Sequence, residues 1–357
     1  MHALGGWVTD SPSDSDYGKG GCALSTARIA VAAMAVLTLA ASLIGFTGYL
    51  WASGPSGIVG LLTEIASSFR LQYLWISLIL SLLALALRKP LWASVSAVAV
   101  VLNLAAIAGL YLPAPDAMPA SGSTPVNSSS PSSGRVGIIQ FNAQSSSAPG
   151  GIESFTRFVH ETNPDLVAVE DLSPEWARRF RSELASLTPV IELPMSDGGG
   201  IGLYSRIPIE DARLRYFADA EPGLASITAR LTIGGEAVDL IVTHPMAPTS
   251  PHTYDARNEQ LARIASERAR FARELIVVGD LNMTSWSPAF ADFIDAMGVR
   301  DTRKGFGVQG SWPAEAPGFR IPIDHCLVSK RFVIYSRKVG PKSGSQHLPI
   351  YALLELV

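Results

Sequence analysis

The sequence predicts a mixed two-sheet sandwich of the α/β (α+β) class with helices outside, carried by three transmembrane helices. Three observations lead there. Long apolar runs crowd the first third of the chain. From Val136 onward, short apolar strands alternate with amphipathic helices, and hairpins occur among them, which fits two mixed sheets better than one doubly wound parallel sheet. A set of acids, amides and histidines falls at or just past the ends of those strands.

The bulk properties set limits. The chain has 357 residues, a net charge of −3 and 17% charged residues. Its mean hydropathy of +0.25 is high for a soluble enzyme, so the apolar excess is local. Cys22 and Cys326 are the two cysteines, and there is no CxxC. That excludes a disulfide framework and a Cys-based zinc site. The charge balance leaves no general basic footprint for nucleic acid.

Residues 1–25 are polar and read as a disordered cytoplasmic N-terminus. Residues 26–112 read as the anchor. Ile29–Ala52 is free of charge and exceeds the roughly 20 apolar residues a spanning helix needs. Leu71–Leu87 is a second, shorter run, and Leu91–Leu112 a third, interrupted by Asn103. Asn103 reads as an interhelical hydrogen bonder. A cleaved signal peptide is the rival for the first run, but two more runs follow it. Lys19 and Arg28 flank the first span, and Arg88-Lys89 separates the second from the third. The loop between the first two holds Arg70 and Glu64. That asymmetry puts the N-terminus and the Arg88-Lys89 turn in the cytoplasm, and everything after Leu112 outside. Residues 113–134, rich in Pro, Ser, Ala and Gly, read as a flexible tether to a domain over 135–357.

In that domain Val136–Phe141 is a strand ending in Asn142. Ile152–Glu161 is a helix, stopped by Asn163-Pro164. Leu166–Val169 is a buried strand ending in Glu170, and Ser173 with Pro174 starts the next helix. Gly198–Ser205 is a Gly-rich strand. Ala225–Leu231 and Ala237–Val242 pair across Gly234-Gly235, and the second strand ends in Thr243-His244. Asp255–Arg273 is an amphipathic helix, and Leu275–Trp286 follows it as a strand ending at Gly279 with Asp280 and Asn282 just beyond. Taken alone, that stretch also fits a strand followed by an Asx turn. Pro288–Met297 is a helix, Arg320–Val328 a strand containing Asp324-His325, and Tyr351–Val357 the last strand, preceded by Ser345-Gln346-His347.

Asn142, Glu170, His244, Asp280, Asn282, Asp324 and His347 thus sit at strand termini. Each alone has a structural explanation, and the joint pattern points to one site. A carboxylate can activate water, and amides and imidazoles can donate to an anionic oxygen.

The motifs Gln140-Phe141-Asn142, Pro164–Glu170, Ser205-Arg206, Thr243-His244, Gly279–Asn282, Ile323-Asp324-His325 and Gly344–Pro349 resemble the endonuclease/exonuclease/phosphatase superfamily. That superfamily includes pancreatic-type DNases, apurinic endonucleases and neutral sphingomyelinases. The added anchor resembles a bacterial membrane-bound subgroup. The resemblance implies a four-layer sandwich and metal-dependent attack of water on a phosphoester. The three spans and their charge asymmetry add the expected place, a multi-pass protein of the cell (inner) membrane with its domain extracytoplasmic. Glu170, Asn142 and Gln346 are then the metal ligands, and hard oxygen donors favour Mg²⁺ or Mn²⁺. Asp280 activates water, Asn282 and His244 donate to non-bridging oxygens, His347 donates or transfers a proton, and Asp324 holds its ring. His325 reads as packing or support. Gln346 stands where the family's closing motif usually has an acid, which implies altered metal affinity and one metal in place of two. The partners implied are a lipid bilayer and a phosphoester substrate, nucleic acid or a phospholipid or small diester, with no obligate protein partner. The alternative is a catalytically degraded phosphate-binding module of the same fold.

Overall fold

The computed structural model describes residues 14–47, 56–112, 133–144, 150–217 and 224–357, with the backbone alone for 14–23. Most of the predicted linker lies outside them, as do most of the predicted N-terminal segment and the last residues of the predicted first span.

Among the described residues, four helices come first: α1 (Asp14–Thr47), α2 (Gly57–Ser68), α3 (Arg70–Ala86) and α4 (Pro90–Ala108). Two helices in the described residues, 24–47 and 90–108, are long and apolar enough to cross a membrane. The predicted middle span differs. It is the pair α2 and α3, bent by 64° at Phe69, which passes the same test only as one unit. The apolar helices therefore number two or three, not firmly three. At the bend Arg70 turns into the bundle, where its Nη1 donates to Ser42 O at 2.8 Å and its guanidinium lies 4.0 Å over the Phe46 ring. Asn103 Nδ2 donates to Ser42 Oγ at 2.8 Å, the interhelical bond expected of it. Arg70 and Glu64, counted above as loop charges, are both buried. The side of the bundle that carries α2 and the end of α4 meets the sandwich; the Arg88-Lys89 turn lies at the other end of the α3–α4 hairpin.

The strands follow: β1 (Arg135–Asn142), β2 (Leu166–Glu170), β3 (Thr188–Leu193), β4 (Ile201–Ser205), β5 (Glu210–Arg215), β6 (Ser226–Ile233), β7 (Glu236–Thr243), β8 (Glu274–Asp280), β9 (Val299–Asp301), β10 (Asp324–Ser329), β11 (Phe332–Val339) and β12 (Ile350–Leu356). They make two six-stranded sheets, β11-β12-β1-β2-β4-β3 and β5-β6-β7-β8-β10-β9. Both are mixed: β1 and β2 are parallel, as are β7 and β8, and the other pairings are antiparallel. Helices α5 (Gly151–Thr162) and α6 (Pro174–Glu183) cover the first sheet, burying Phe155, Phe158 and Phe180 against Ile139, Val167 and Val169. Helices α7 (Pro251–Ser266) and α8 (Pro288–Met297) cover the second, burying Leu261, Ile264 and Phe293 against Leu275 and Val277. The four layers are thus helix, sheet, sheet, helix.

Local chemistry explains where elements begin and end. Ser173 Oγ accepts from Trp176 N and starts α6, with Pro174 at the first position. Gly234 and Gly235 both take positive φ, +59° and +82°, and close the tight β6–β7 hairpin. Helix α7 starts earlier than expected, at Pro251, because Ser250 and Thr253 form a reciprocal capping box. It ends earlier too, at Ser266, and a 3₁₀ turn over Arg268–Arg270 leads to β8. Strand β10 starts at Asp324 and not at Arg320, because Ile321 pairs with Trp312 in an isolated bridge. Strands β3, β5, β9 and β11 have no counterpart in the sequence reading. Exposed, charged β5 is an edge strand, which needs little apolar pattern.

Strand periodicity decides what the sheets face. In β1, Val136 and Ile138 enter the core between the sheets; Ile139 and Phe141 face the helices. The same alternation sends Leu166 and Ala168, Val238 to Val242 at even positions, Ile276 and Val278, and Cys326 and Val328 into the inter-sheet core. Gly279 allows β7 and β8 to close together at the end of this core. Its φ is +151°, and a Cβ there would sit 1.9 Å from Thr243 O. Gly279→Ala is expected to lower unfolding stability by about 3 kcal/mol or more in a denaturant titration, the cost of an overpacked backbone contact.

Candidate active site

Continuing each inward face by one or two residues carries it out of the apolar core and into a polar cluster. Gln140 and Asn142 follow Val136 and Ile138; Glu170 follows Ala168; Asp280 follows Val278; Asp324 precedes Cys326. Register aligns them in pairs. Asn142 sits opposite Glu170 across the parallel β1–β2 ladder, and Asp280 opposite Asp324 across the antiparallel β8–β10 ladder. His244 arrives just past β7. His347 arrives on the segment before β12, where Ser345 Oγ accepts from His347 N at 3.0 Å and donates to Asn142 O at 2.6 Å.

One network joins the two sheets. Gln140 Nε2 donates to Glu170 Oε2 and to Asp324 Oδ1, both at 2.8 Å. Asn142 Nδ2 donates to Asp280 Oδ2 at 3.0 Å, and its Oδ1 accepts from Gln144 N at 2.9 Å. Asp280 Oδ1 accepts from Asn282 N at 2.9 Å, so the Asx turn that the sequence allowed is present and also orients the carboxylate. Asn282, at φ +52°, donates from Nδ2 to Pro245 O at 3.0 Å. Asp324 Oδ2 lies 3.0 Å from His347 Nδ1. A carboxylate only accepts, so Nδ1 carries the proton of that bond. His347 Nε2 and His244 Nε2 each lie 3.7 Å from Asp280 Oδ2, within ion-pair range and beyond hydrogen-bond length. His244 Nδ1 faces Asp171 Oδ1 at 3.5 Å. Asp280, Asp324 and His347 present ligand atoms within 4.8 Å of one another, a grouping able to hold a metal ion.

The charges are strongly interdependent. Burial is the largest influence on His347 and pulls its pKa down, but Asp324 and Asp280 outweigh it and raise it to about 9. Burial pushes Asp324 up, and the His347 charge and bond override that, leaving it near 2. His347 and Asp324 are therefore an ion pair at neutral pH. Asp280 is raised, by burial first and then by Asp324. Glu170 is raised well above the usual carboxylate range, by burial first; Gln140 opposes this, and Asp324, Asp280 and Asp171 add to it.

The loop after β8 is fixed from behind by a second buried cluster. His325 Nε2 bonds Met283 O at 2.8 Å, and its Nδ1 lies 3.1 Å from Arg303 Nη2. A carbonyl only accepts and a guanidinium only donates, so Nε2 carries the proton and Nδ1 accepts. Burial, then the Arg303 charge, lower its pKa to about 3 and keep the ring neutral. Arg303 also bonds Asp301 and Ser285. His325 is thus a support, and Ser285 and Trp286 belong to the base of the loop.

A divalent cation fits this centre on the structure's own terms. Glu170 Oε1 and Gln140 Oε1 are buried oxygens with no hydrogen-bond partner. Buried oxygens without donors cost free energy that a cation removes. Gln346 is exposed between buried Ser345 and His347, and its backbone carbonyl accepts from Ala314 N at 2.7 Å.

Comparison with known proteins turns this geometry into a family. The model of the "Endonuclease/Exonuclease/phosphatase family" matches residues 139–347, from the middle of β1 to His347. The chain belongs to that family. A search of the curated proteins found no match. Among solved structures, D. rerio TDP2 complexed with single-strand DNA product is similar at 16% identity and TM-score 0.52, covering 62% of this chain and 99% of that one. A family protein from Bacteroides vulgatus is similar at 17% identity and TM-score 0.51, with 62% and 99% covered. Another from Leptotrichia buccalis gives 14% and 0.51, with 62% and 100% covered. At these identities they show the fold alone. Proteins of this endonuclease/exonuclease/phosphatase family are hydrolases of phosphoester bonds, and divalent-metal dependence is general among them.

The structure brings Asn142, Glu170, His244, Asp280, Asn282, Asp324 and His347 together and leaves Gln346 on the solvent side of its turn. It adds three residues the sequence reading gave no role. Gln140 was detectable by its parity with Asn142. Ser345 was detectable from its place before His347. Asp171, at φ +48° with Oδ1 accepting from Gly199 N, carried no sequence signal.

Proposed function

We propose that this chain is a membrane-anchored, metal-dependent phosphodiesterase. The observation that carries the reading is Asp280 set between two imidazoles, one of them paired to Asp324, beside Glu170, whose buried Oε1 has no hydrogen-bond partner. Glu170, with Gln140 and Asn142, would hold Mg²⁺ or Mn²⁺; exposure weighs against Gln346 as a ligand. The cation would supply Lewis-acid polarisation of the phosphoryl oxygens. Asp280, fixed by Asn142 and Asn282, takes a proton from the attacking water. Water's oxygen bonds to phosphorus, the ester P–O bond breaks, and His347 Nε2 gives a proton to the leaving oxygen. Asp324 keeps that ring aligned and charged, and His244 and Asn282 donate to the non-bridging oxygens.

The anchor, a tether over residues 113–134 and the domain over 135–357 would make a multi-pass protein of the cell (inner) membrane with the domain extracytoplasmic. The Arg88-Lys89 turn at the end of the bundle away from the sandwich supports that orientation. Substrate class follows from charge and place. Arg179, Arg181, Arg263, Arg270 and Arg273 are each paired with a glutamate. That favours a small or lipid-headgroup diester over a long polyanion. The single-strand DNA product named for the D. rerio TDP2 structure keeps DNA among the substrates to test. The test is a panel with Mn²⁺: bis(4-nitrophenyl) phosphate, phospholipid vesicles and single-stranded DNA. Turnover of the first two above the third is expected. A protein inert on all three is the degraded module instead.

A further inference from the structure

Helix α2 does more than join α1 to α3. Glu64 is 3% exposed and lies against the sandwich, not on the side of α2 that exposes Ile58, Leu62 and Ile65. Its Oε2 accepts from Arg257 Nη2 at 2.9 Å and from Ser287 Oγ at 2.7 Å. Arg257, on α7, is 0% exposed, and its Nη1 donates to the carbonyl of Asn282 at 2.7 Å. Glu64 therefore holds both ends of the loop that follows Asp280: Asn282 through Arg257, and Ser287 directly. Between them Trp286 Nε1 donates to Ala106 O of α4 at 3.2 Å, and its ring packs with Ile107, Leu110 and Val308. Gly305 N and Gly307 N close the contact on Leu110 O at 2.9 and 3.0 Å.

We infer that Glu64 is a positioning residue for hydrolysis: the anchor supplies the carboxylate that sets Asn282, and with it Asp280, in their working geometry. The inference rests on the phosphodiesterase reading above. Arg257 is the only charged link from α2 to Asn282 that the described residues contain. Its buried guanidinium needs a buried anion, and that anion comes from the anchor. Asn282 takes a left-handed backbone in the Asx turn, and its N–H makes the bond that orients Asp280 Oδ1, so the position of this residue sets that of the carboxylate. Releasing Arg257 from Glu64 frees the carbonyl on the other side of the same residue. A shift of a catalytic group by a fraction of its contact distance lowers turnover with little effect on binding.

The test uses the full chain in detergent micelles with Mn²⁺ and bis(4-nitrophenyl) phosphate, comparing wild type, Glu64→Gln and Ser287→Ala. Glu64→Gln keeps the side chain's shape and removes the charge; Ser287→Ala removes the second arm alone. For Glu64→Gln, kcat is expected to fall about tenfold or more with KM near wild type. Ser287→Ala should show a smaller fall of the same kind. Hydrogen exchange at 281–287 should quicken in both while β1 and β8 stay protected. A Glu64→Gln protein with wild-type kcat, or with a raised KM in place of a lowered kcat, overturns the inference. Unchanged exchange at 281–287 overturns it even where wild type itself turns over nothing, an outcome that separately defeats the phosphodiesterase reading.

Discussion

Asp280→Asn is expected to reduce kcat for diester hydrolysis by about a thousandfold while leaving fold stability close to that of wild type. Asp280 is buried opposite Asp324, and burial followed by that charge raises its pKa. A carboxylate whose pKa the fold raises holds its charge at some cost in folded stability, which removing the charge relieves. Asparagine keeps the shape but has one oxygen where the carboxylate serves two donors, Asn282 N and Asn142 Nδ2, and that lost bond offsets the relief of the buried charge. What it loses is the base between His347 and His244. Parallel thermal melts and initial rates separate the effects. An Asp280→Asn protein that unfolds earlier and still turns over would show that the carboxylate is a structural anion.

Asp324→Asn should cost about a hundredfold in kcat and move the titration of His347. The wild-type ring is held near 9: burial pulls it down, and Asp324 and Asp280 more than compensate. In the Asp324→Asn protein the larger compensating charge is gone, and the midpoint should fall toward the ordinary 6.5. Stability follows the same sign. His347, raised in the fold, contributes stability that is complete below 6.5 and lost as pH rises through about 9. Asp324, lowered to about 2, contributes stability present above 3.8 and lost as pH falls through about 2. These are two ends of one shared ion pair. Wild type should therefore weaken between pH 6.5 and 9, and Asp324→Asn should lack that slope. NMR of labelled imidazole on the metal-free protein, with melts at both pH values, checks it. A His347 midpoint unmoved by Asp324→Asn would count against Asp324 as the group that holds the ring.

Much of the sandwich was legible because strands are periodic. Val136, Ile138, Ala168, Val278 and Cys326 mark one face, and the polar residues that continue it are Asn142, Glu170, Asp280 and Asp324. Each of those residues alone has a structural explanation, and it is their joint placement at strand ends that made the site legible. Gln140 obeys the same period but escaped, because a glutamine inside an apolar strand looks like a tolerated polar residue. Charged edge strand β5 escaped for the opposite reason: it has almost no apolar pattern to read. The anchor was legible as apolar composition but not as shape. Hydropathy cannot see that Arg70 turns inward at Phe69 or that the α2–α3 pair bends by 64°. Nor can it pair Glu64 with Arg257 across 193 residues of sequence. By pattern alone one is a charge on a loop and the other a charge on a solvated helix, and long-range pairing gives both another role.

The proposed chemistry depends above all on Glu170 as the anchor of a catalytic cation within this acid cluster. The most direct measurement is the Mn²⁺ dependence of bis(4-nitrophenyl) phosphate hydrolysis by wild type and Glu170→Gln. Glutamine preserves the shape and relieves a carboxyl that burial and three neighbouring acids already push toward its neutral form, so the variant should melt no lower than wild type. Wild type should be inert in chelator and saturate with Mn²⁺, and Glu170→Gln should respond to Mn²⁺ weakly or not at all. Equal Mn²⁺ saturation curves for the two proteins, or full wild-type turnover in chelator, would contradict the account.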